Sequence, residues 1–235
     1  MLHGYRDILF LRLPPLLTIQ VQILTDEYLR KWYSPSSMTE LTHNQSSGTT
    51  QREQNRSAFL DAAISLFEES VYSGIRMDDI FQRANRDNAT FYNFYASKPD
   101  WAIDVLDTEL NKALAKQSAR EMGVVYTPYA RALGRLTLFE AVTNDLPGIT
   151  QAPIEDRALT GASYSELLPN FHTKVNQAFR NGQERQLFRT DVDSSQLADF
   201  TIDSLALACL IRLNNAPKQT SLNVPLLLLN GAMVR

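Results

Sequence analysis

From Arg52 onward, apolar residues recur at the spacing of an α-helix. Phe59, Ala63, Leu66, Phe67 and Ser70 fall at i, i+4, i+7, i+8 and i+11 and share one face. Met77–Ala84 predicts a second, short helix, with Asp78 and Asp79 in the first turn, where the helix dipole favours acids. Asn88–Tyr95 predicts a third, with Asp87 as its N-cap. The link is Asn85-Arg86, and Asn is one of the few residue types that tolerates the left-handed conformation a tight turn requires. Ser97-Lys98-Pro99-Asp100 then reads as a helix start. Ser97 caps, Asp100 reaches back, and Pro99 lies in the first turn, where its missing N–H costs nothing. The helix so opened runs roughly from Pro99 to Arg120.

The pattern stays helical to the end. Pro128–Thr143, Ser163–Gln183, Ser194–Leu213 and Ser221–Val234 are candidate helices, separated by Leu146-Pro147-Gly148, Gly161, Arg189-Thr190-Asp191 and Ala216-Pro217. Leu197, Phe200, Ser204, Ala208 and Ile211 recur at helical spacing within Ser194–Leu213. No alternating pattern bounded by hairpin turns competes, so the chain reads as all-α. Residues 1–50 differ: an apolar, proline-interrupted piece leads through Ser34-Pro35-Ser36-Ser37 into the polar run Thr39–Gln54. Without apolar periodicity that run reads as a flexible arm, and Met38, where it begins, is the suggested native start.

Composition narrows the function classes. An apolar fraction of 44% over 235 residues supports a packed core. The net charge of −3 means that any affinity for nucleic acid must come from a local patch. Cys209 is the single cysteine, which excludes an intramolecular disulfide and fits a cytoplasmic location. Arg12 and Pro14-Pro15 interrupt the apolar stretch Ile8–Leu24, and Leu222–Leu229 is short and contains Pro225, so neither a membrane span nor a secretory signal is expected.

Two short helices joined by a tight turn and framed by longer ones make a helix-turn-helix, whose second short helix would enter the major groove of double-stranded DNA. Asn88 and Asn93 suit base edges, and the hydroxyls of Thr90 and Tyr92 suit phosphate oxygens. Lys98 opens the next helix, where an ammonium and free N–H groups both favour an anion.

These residues resemble a known family. Ala62-Ala63-Ile64-Ser65-Leu66-Phe67, Tyr72, Asp79-Ile80, Arg83-Ala84, Thr90-Phe91-Tyr92, Tyr95 and Ser97-Lys98 are similar, in register over about fifty residues, to the DNA-binding domain of the tetracycline-repressor (TetR) family. The chain departs from that pattern at Val71, Ile75-Arg76, Asn85 and Asp87-Asn88-Ala89. Ile75-Arg76 removes the usual cap of the second helix, and Arg76 is expected to reach a phosphate instead, with Arg86 in the same DNA-contacting set. The resemblance implies a DNA-binding domain at 51–98 and a ligand-binding and dimerisation domain at 99–235. It further implies a homodimer through Ser194–Leu213 and Ser221–Val234, a palindromic operator, and release of a repressor from it by a small-molecule effector. A local echo of the family is the helix end and turn Asn181–Asp191.

Within the larger domain, Leu106, Leu110, Leu136, Phe139, Leu168, Phe171 and Val175 are candidate pocket walls with His172 as the polar handle; the alternative is that they pack into a solid core. Charge tempers the DNA reading. Residues 51–101 hold six bases and eight acids, a net of −2, and Arg76–Lys98 holds four against three, or +1. Weak positive charge predicts few phosphate contacts. Tyr72, Phe91 and Tyr95 read as core aromatics and Cys209 as a small buried hydrophobe. No nucleophile elbow, phosphate-binding glycine loop or paired metal motif occurs, so neither an enzyme nor a cofactor or metal site is expected. The rival reading is a helical ligand-binding protein or enzyme that retains a relic helix-turn-helix.

Overall fold

The computed structural model describes residues 51–121, 125–214 and 224–233. The arm, Met38, Ser221–Asn223 and Val234 lie outside the described residues. The described chain runs α1 (Gln51–Glu69), a 3-10 turn (Tyr72–Gly74), α2 (Met77–Ala84), α3 (Asn88–Tyr92), α4 (Lys98–Glu121), α5 (Pro128–Asp145), α6 (Gln151–Thr160), α7 (Tyr164–Leu167), α8 (Pro169–Glu184), α9 (Ser194–Asn214) and α10 (Val224–Ala232). Among the described residues the only β-type pairing is an isolated bridge between Phe188 and Met233. The fold is all-α.

The amphipathic stripe of α1 does what its spacing implies: Phe59, Ala62, Ala63, Leu66 and Phe67 are buried. They close against the start of α4, where Trp101 stacks on Phe67 at 6.3 Å between ring centroids and its indole N–H donates to the Phe59 carbonyl at 3.2 Å. Ser97 caps α4 by accepting from the Asp100 N–H at 3.2 Å, and the Asp100 carboxylate takes the Ala96 N–H at 2.8 Å. In α5, Pro128 stands at the first position and the Thr127 hydroxyl accepts from the Ala130 N–H at 3.1 Å.

Four expectations are corrected. The third helix stops at Tyr92 rather than Tyr95, where the N–H groups of Asn93 and Phe94 tighten onto the carbonyls three residues back, Thr90 and Phe91, at 3.3 and 2.9 Å. The segment Ser163–Gln183 is two helices. Pro169 disfavours the helical conformation at the residue before it, and Leu168 takes φ −131° and ψ 60°. Helix α6 was not anticipated, since Leu146-Pro147-Gly148 and Gly161 read only as separators; Pro153 falls in its first turn, where its missing N–H is harmless. In α9 the buried face is Leu197, Ala198, Thr201, Ile202, Leu205 and Ala206, whereas Phe200 and Ile211 of the expected stripe are 66% and 51% exposed.

The segment after α8 is held by shape. A Cβ on Gly182 would stand 2.1 Å from the Phe188 ring, so this position admits Phe188 beneath the end of the helix. The Leu187 N–H returns to the Gly182 carbonyl at 2.8 Å, and the Gln183 side-chain amide ties the carbonyls of Arg189 and Val192, each at 2.8 Å.

Candidate nucleic-acid interface

Helices α2 and α3 are oriented by the residues between them. Asn85 adopts φ 50° and ψ 50°, and its N–H and that of Arg86 close onto the carbonyls of Gln82 and Phe81 at 3.2 and 3.1 Å. The absent side-chain cap of α2 is replaced from inside the helix. The Arg76 N–H donates to Asp79 Oδ2 at 2.9 Å, and the Arg76 guanidinium pairs with Asp79 Oδ1 at 3.1 Å, which holds that carboxyl below the usual range. At α3, Asp87 Oδ1 accepts the Thr90 N–H at 2.6 Å, and hydrogen bonding from the Thr90 side chain and backbone lowers the pKa of the Asp87 carboxyl.

Phe91 then points inward, fully buried, with its ring edge-on to Phe59 at 5.3 Å. Since one face of α3 is anchored by Phe91, the opposite face is outward: Asn88, Ala89, Tyr92 and Asn93 are exposed and Thr90 is half-buried. Three of the expected DNA-contacting residues, Asn88, Tyr92 and Asn93, thus stand together on the outward face of α3 and its C-cap.

The cations of this segment have partners within the chain. Arg86 donates to Asn55 Oδ1 and to the Asn85 carbonyl, each at 2.8 Å, and so ties the turn to α1. Arg83 bridges to Glu69 at 2.6 Å and to the Ser65 hydroxyl at 2.8 Å. Lys98 donates to the Tyr72 carbonyl at 2.7 Å, and its ammonium lies 4.1 Å from the Tyr72 ring centroid. Burial pushes the Lys98 amine below its ordinary pKa. Lys98 stands at the start of α4 facing the 3-10 turn, where a carbonyl and an aromatic face hold its ammonium. Every base between Arg76 and Lys98 has an intramolecular hydrogen bond, and of the four only Arg76 and Arg83 are paired with a carboxylate.

Tyr72 also reaches the larger part of the chain. Its N–H donates to the Pro147 carbonyl at 2.9 Å and its hydroxyl to Glu155 Oε2 at 3.2 Å, on α6. Burial raises the pKa of this hydroxyl above the tyrosine range. Sequence reasoning placed Tyr72 in the core but had no signal for its partners, which lie more than seventy residues away.

The candidate pocket residues are packed. Leu106, Leu110, Leu136, Phe139, Leu168, Phe171 and Val175 are 0% exposed and His172 is 4% exposed, all in or against one continuous core, with Phe139 and Phe171 at 5.4 Å between centroids. A cleft of about 500 Å³ opens elsewhere, lined by Arg56, Tyr95, Asp104 and Asp107 among others. Cys209 is half-buried and accepts a hydrogen bond from the Thr143 hydroxyl at 3.3 Å; burial raises its thiol pKa. Among the described residues, no group of three or more His, Cys, Asp or Glu side chains is placed to hold a metal ion, and no helix is long and apolar enough to cross a membrane.

No protein-family model matches the sequence, and no curated protein matches it. Solved structures do match. The crystal structure of RolR with its ligand resorcinol is 16% identical, covers 77% of this chain and 88% of RolR, and superposes with a TM-score of 0.56. The transcriptional regulator FadR from Bacillus subtilis, in complex with stearoyl-CoA, is 12% identical over 74% of this chain and 98% of its own, with a TM-score of 0.53. The fatty acid degradation regulator FadR from Bacillus halodurans is 17% identical over 79% of this chain and 97% of its own, with a TM-score of 0.52. The chain shares the fold of these regulators.

Proposed function

We propose that this chain is a DNA-binding transcriptional regulator of the tetracycline-repressor type, a cytoplasmic homodimer that leaves a palindromic operator when a small molecule binds its larger domain. The observation that carries this reading is the outward face of α3. An Asp87-capped helix, anchored by Phe91 and set off by a left-handed Asn85, presents Asn88 and Asn93 with Tyr92 beside them. Amide side chains of this kind read base edges, and the tyrosine hydroxyl suits a phosphate oxygen.

Two further observations support it. Phe200 and Leu207, two turns apart on α9, are 66% and 51% exposed, and Leu227 on α10 is 39% exposed. An apolar stripe of this kind on adjacent helices suits a self-complementary two-fold interface. The links from Tyr72 to Pro147 and Glu155 give the reading head a direct mechanical connection to α6. A ligand that moved α6 would alter the head, and by linkage DNA would alter ligand affinity equally. The resorcinol and stearoyl-CoA complexes of proteins with this fold make a small-molecule effector the natural input.

The test is a gel shift with the intergenic DNA beside the protein's own gene. Specific retardation is expected, and Asn88→Ala and Asn93→Ala should relax discrimination by about 1–3 kcal/mol per contacted base. Binding that is equal for all sequences, or absent at both about 50 and about 200 mM salt, leaves the rival reading of a helical ligand-binding protein.

A further inference from the structure

The surface that α2 and α3 turn outward carries a carboxylate that no base among the described residues neutralises. Asp87, the residue before α3, is exposed, and so is Asn88 beside it. The nearby bases are engaged elsewhere. Arg76 pairs with Asp79 at 3.1 Å and Arg83 with Glu69 at 2.6 Å, while Arg86 turns to Asn55 and to the Asn85 carbonyl, each at 2.8 Å. Asp87 bonds to Thr90 instead, whose N–H meets Oδ1 at 2.6 Å. Hydrogen bonding from Thr90 holds the carboxyl below its ordinary pKa range, so it is ionised at neutral pH.

Capping alone does not call for that charge, since Ser and Asn cap helices about as well as Asp. A carboxylate has about four acceptor positions, and the bonds to Thr90 leave part of that capacity facing solvent. Beside DNA an unpaired carboxylate is repelled by every phosphate, which lowers affinity for all sequences alike. The repulsion is offset only where the DNA presents a hydrogen-bond donor. Residues at the start of a recognition helix meet base edges in the major groove. The donors displayed there are the N6 amino group of adenine and the N4 amino group of cytosine, whereas guanine and thymine offer acceptors. Adenine N6 stands beside N7, whose lone pair opposes a carboxylate; cytosine N4 has no acceptor beside it on its own base. An Asn side chain prefers adenine, because it donates to N7 while accepting from N6.

We propose that Asp87 is a specificity-determining residue, whose carboxylate selects a cytosine in each operator half-site by accepting from its N4 amino group and disfavours every other base there. The proposal rests on the reading of this chain as a DNA-binding regulator and deepens it. Asp87 and Asn88 are adjacent and exposed but demand different bases, cytosine and adenine, so the pair specifies more than either side chain does.

The experiment is selection of binding sites by the full chain from double-stranded oligonucleotides with a randomised core. Fluorescence-anisotropy titration then compares the selected site with single-base replacements of each invariant cytosine. One cytosine per half-site should weaken binding by the natural protein about tenfold or more when replaced. Asp87→Ser should abolish that preference, and Asp87→Asn should move it to adenine. Both variants should bind random-sequence DNA at least as tightly as the natural protein, because a repulsive charge has gone. Both should unfold at the natural temperature, because each keeps a capping side chain. A cytosine preference unchanged in both variants overturns the proposal. So does a change of affinity equal for all sequences, which would leave Asp87 a cap and a bulk charge only. Selection of a defined site that shows no dependence on residue 87 sinks this inference alone, whereas a natural protein that selects no sequence sinks the regulator reading and this inference with it.

Discussion

Phe171→Ala measures whether the centre of the larger domain is solid. The side chain is 0% exposed on α8 and meets Phe139 of α5 at 5.4 Å between centroids, with Val175 and Leu168 of its own neighbourhood equally buried. Truncation removes the transfer free energy of a whole ring and leaves a cavity whose walls belong to three helices, which cannot collapse independently. For a fully buried phenylalanine the expected loss is about 3–5 kcal/mol. The aromatic pair with Phe139 accounts for about 0.5–1.5 kcal/mol beyond buried area and places the value in the upper half of that range. In a chain of this size about 2–4 °C accompanies each kcal/mol, so the unfolding temperature should fall by roughly 6–20 °C. Urea denaturation followed by far-UV circular dichroism gives the free energy directly, at fixed protein concentration because a dimer's stability depends on it. A loss below about 1.5 kcal/mol would refute the packed-core assignment, since only a side chain facing open or solvated space is so cheaply removed.

Four shorter predictions accompany it. Gly182→Ala drives a methyl into the Phe188 ring and should cost about 1–3 kcal/mol or more in the same assay, with Phe188→Leu in the same chain recovering part of the loss. Lys98→Met should lower stability by about 1–2 kcal/mol through the lost Tyr72 contacts while leaving the slope of log K against log salt unchanged; a slope smaller in magnitude by about 0.9 per reading head would show that Lys98 contacts a phosphate after all. Asp79, Asp87 and Glu69 have carboxyl pKa values below the ordinary range, so their contribution to the head is complete above the unfolded value near about 3.9–4.3 and disappears as pH falls through the lowered folded values. An NMR titration midpoint for Asp87 at or above its unfolded value contradicts the capping bond. Phe200→Glu and Leu207→Glu should each reduce the light-scattering mass from dimer to monomer at micromolar concentration, with helical content retained; a natural protein already monomeric there removes the two-fold interface.

The sequence by itself determined whatever depends on neighbours along the chain. The period of α1, the Asp87 cap, the left-handed Asn85 and the Ser97 cap of α4 all follow from interactions spanning a few residues, and each appears where the spacing put it. Pro169 carried a local signal as well, since its ring restricts Leu168, and reading it would have divided the long helix Ser163–Gln183 in advance. What distant segments do to one another could not be read that way. The Lys98 ammonium lies against the carbonyl and ring of Tyr72, and the Tyr72 hydroxyl in turn reaches Glu155. The α9 stripe shows the limit most clearly. Helical spacing identifies two apolar faces on that helix, and only packing against α8 and α5 decides that Leu197, Ile202 and Leu205 are inside while Phe200 and Leu207 remain exposed. Periodicity reports that a face is apolar, but which surface covers it is a property of the whole assembly of helices, because burial is decided by whatever packs against the helix and not by the helix itself.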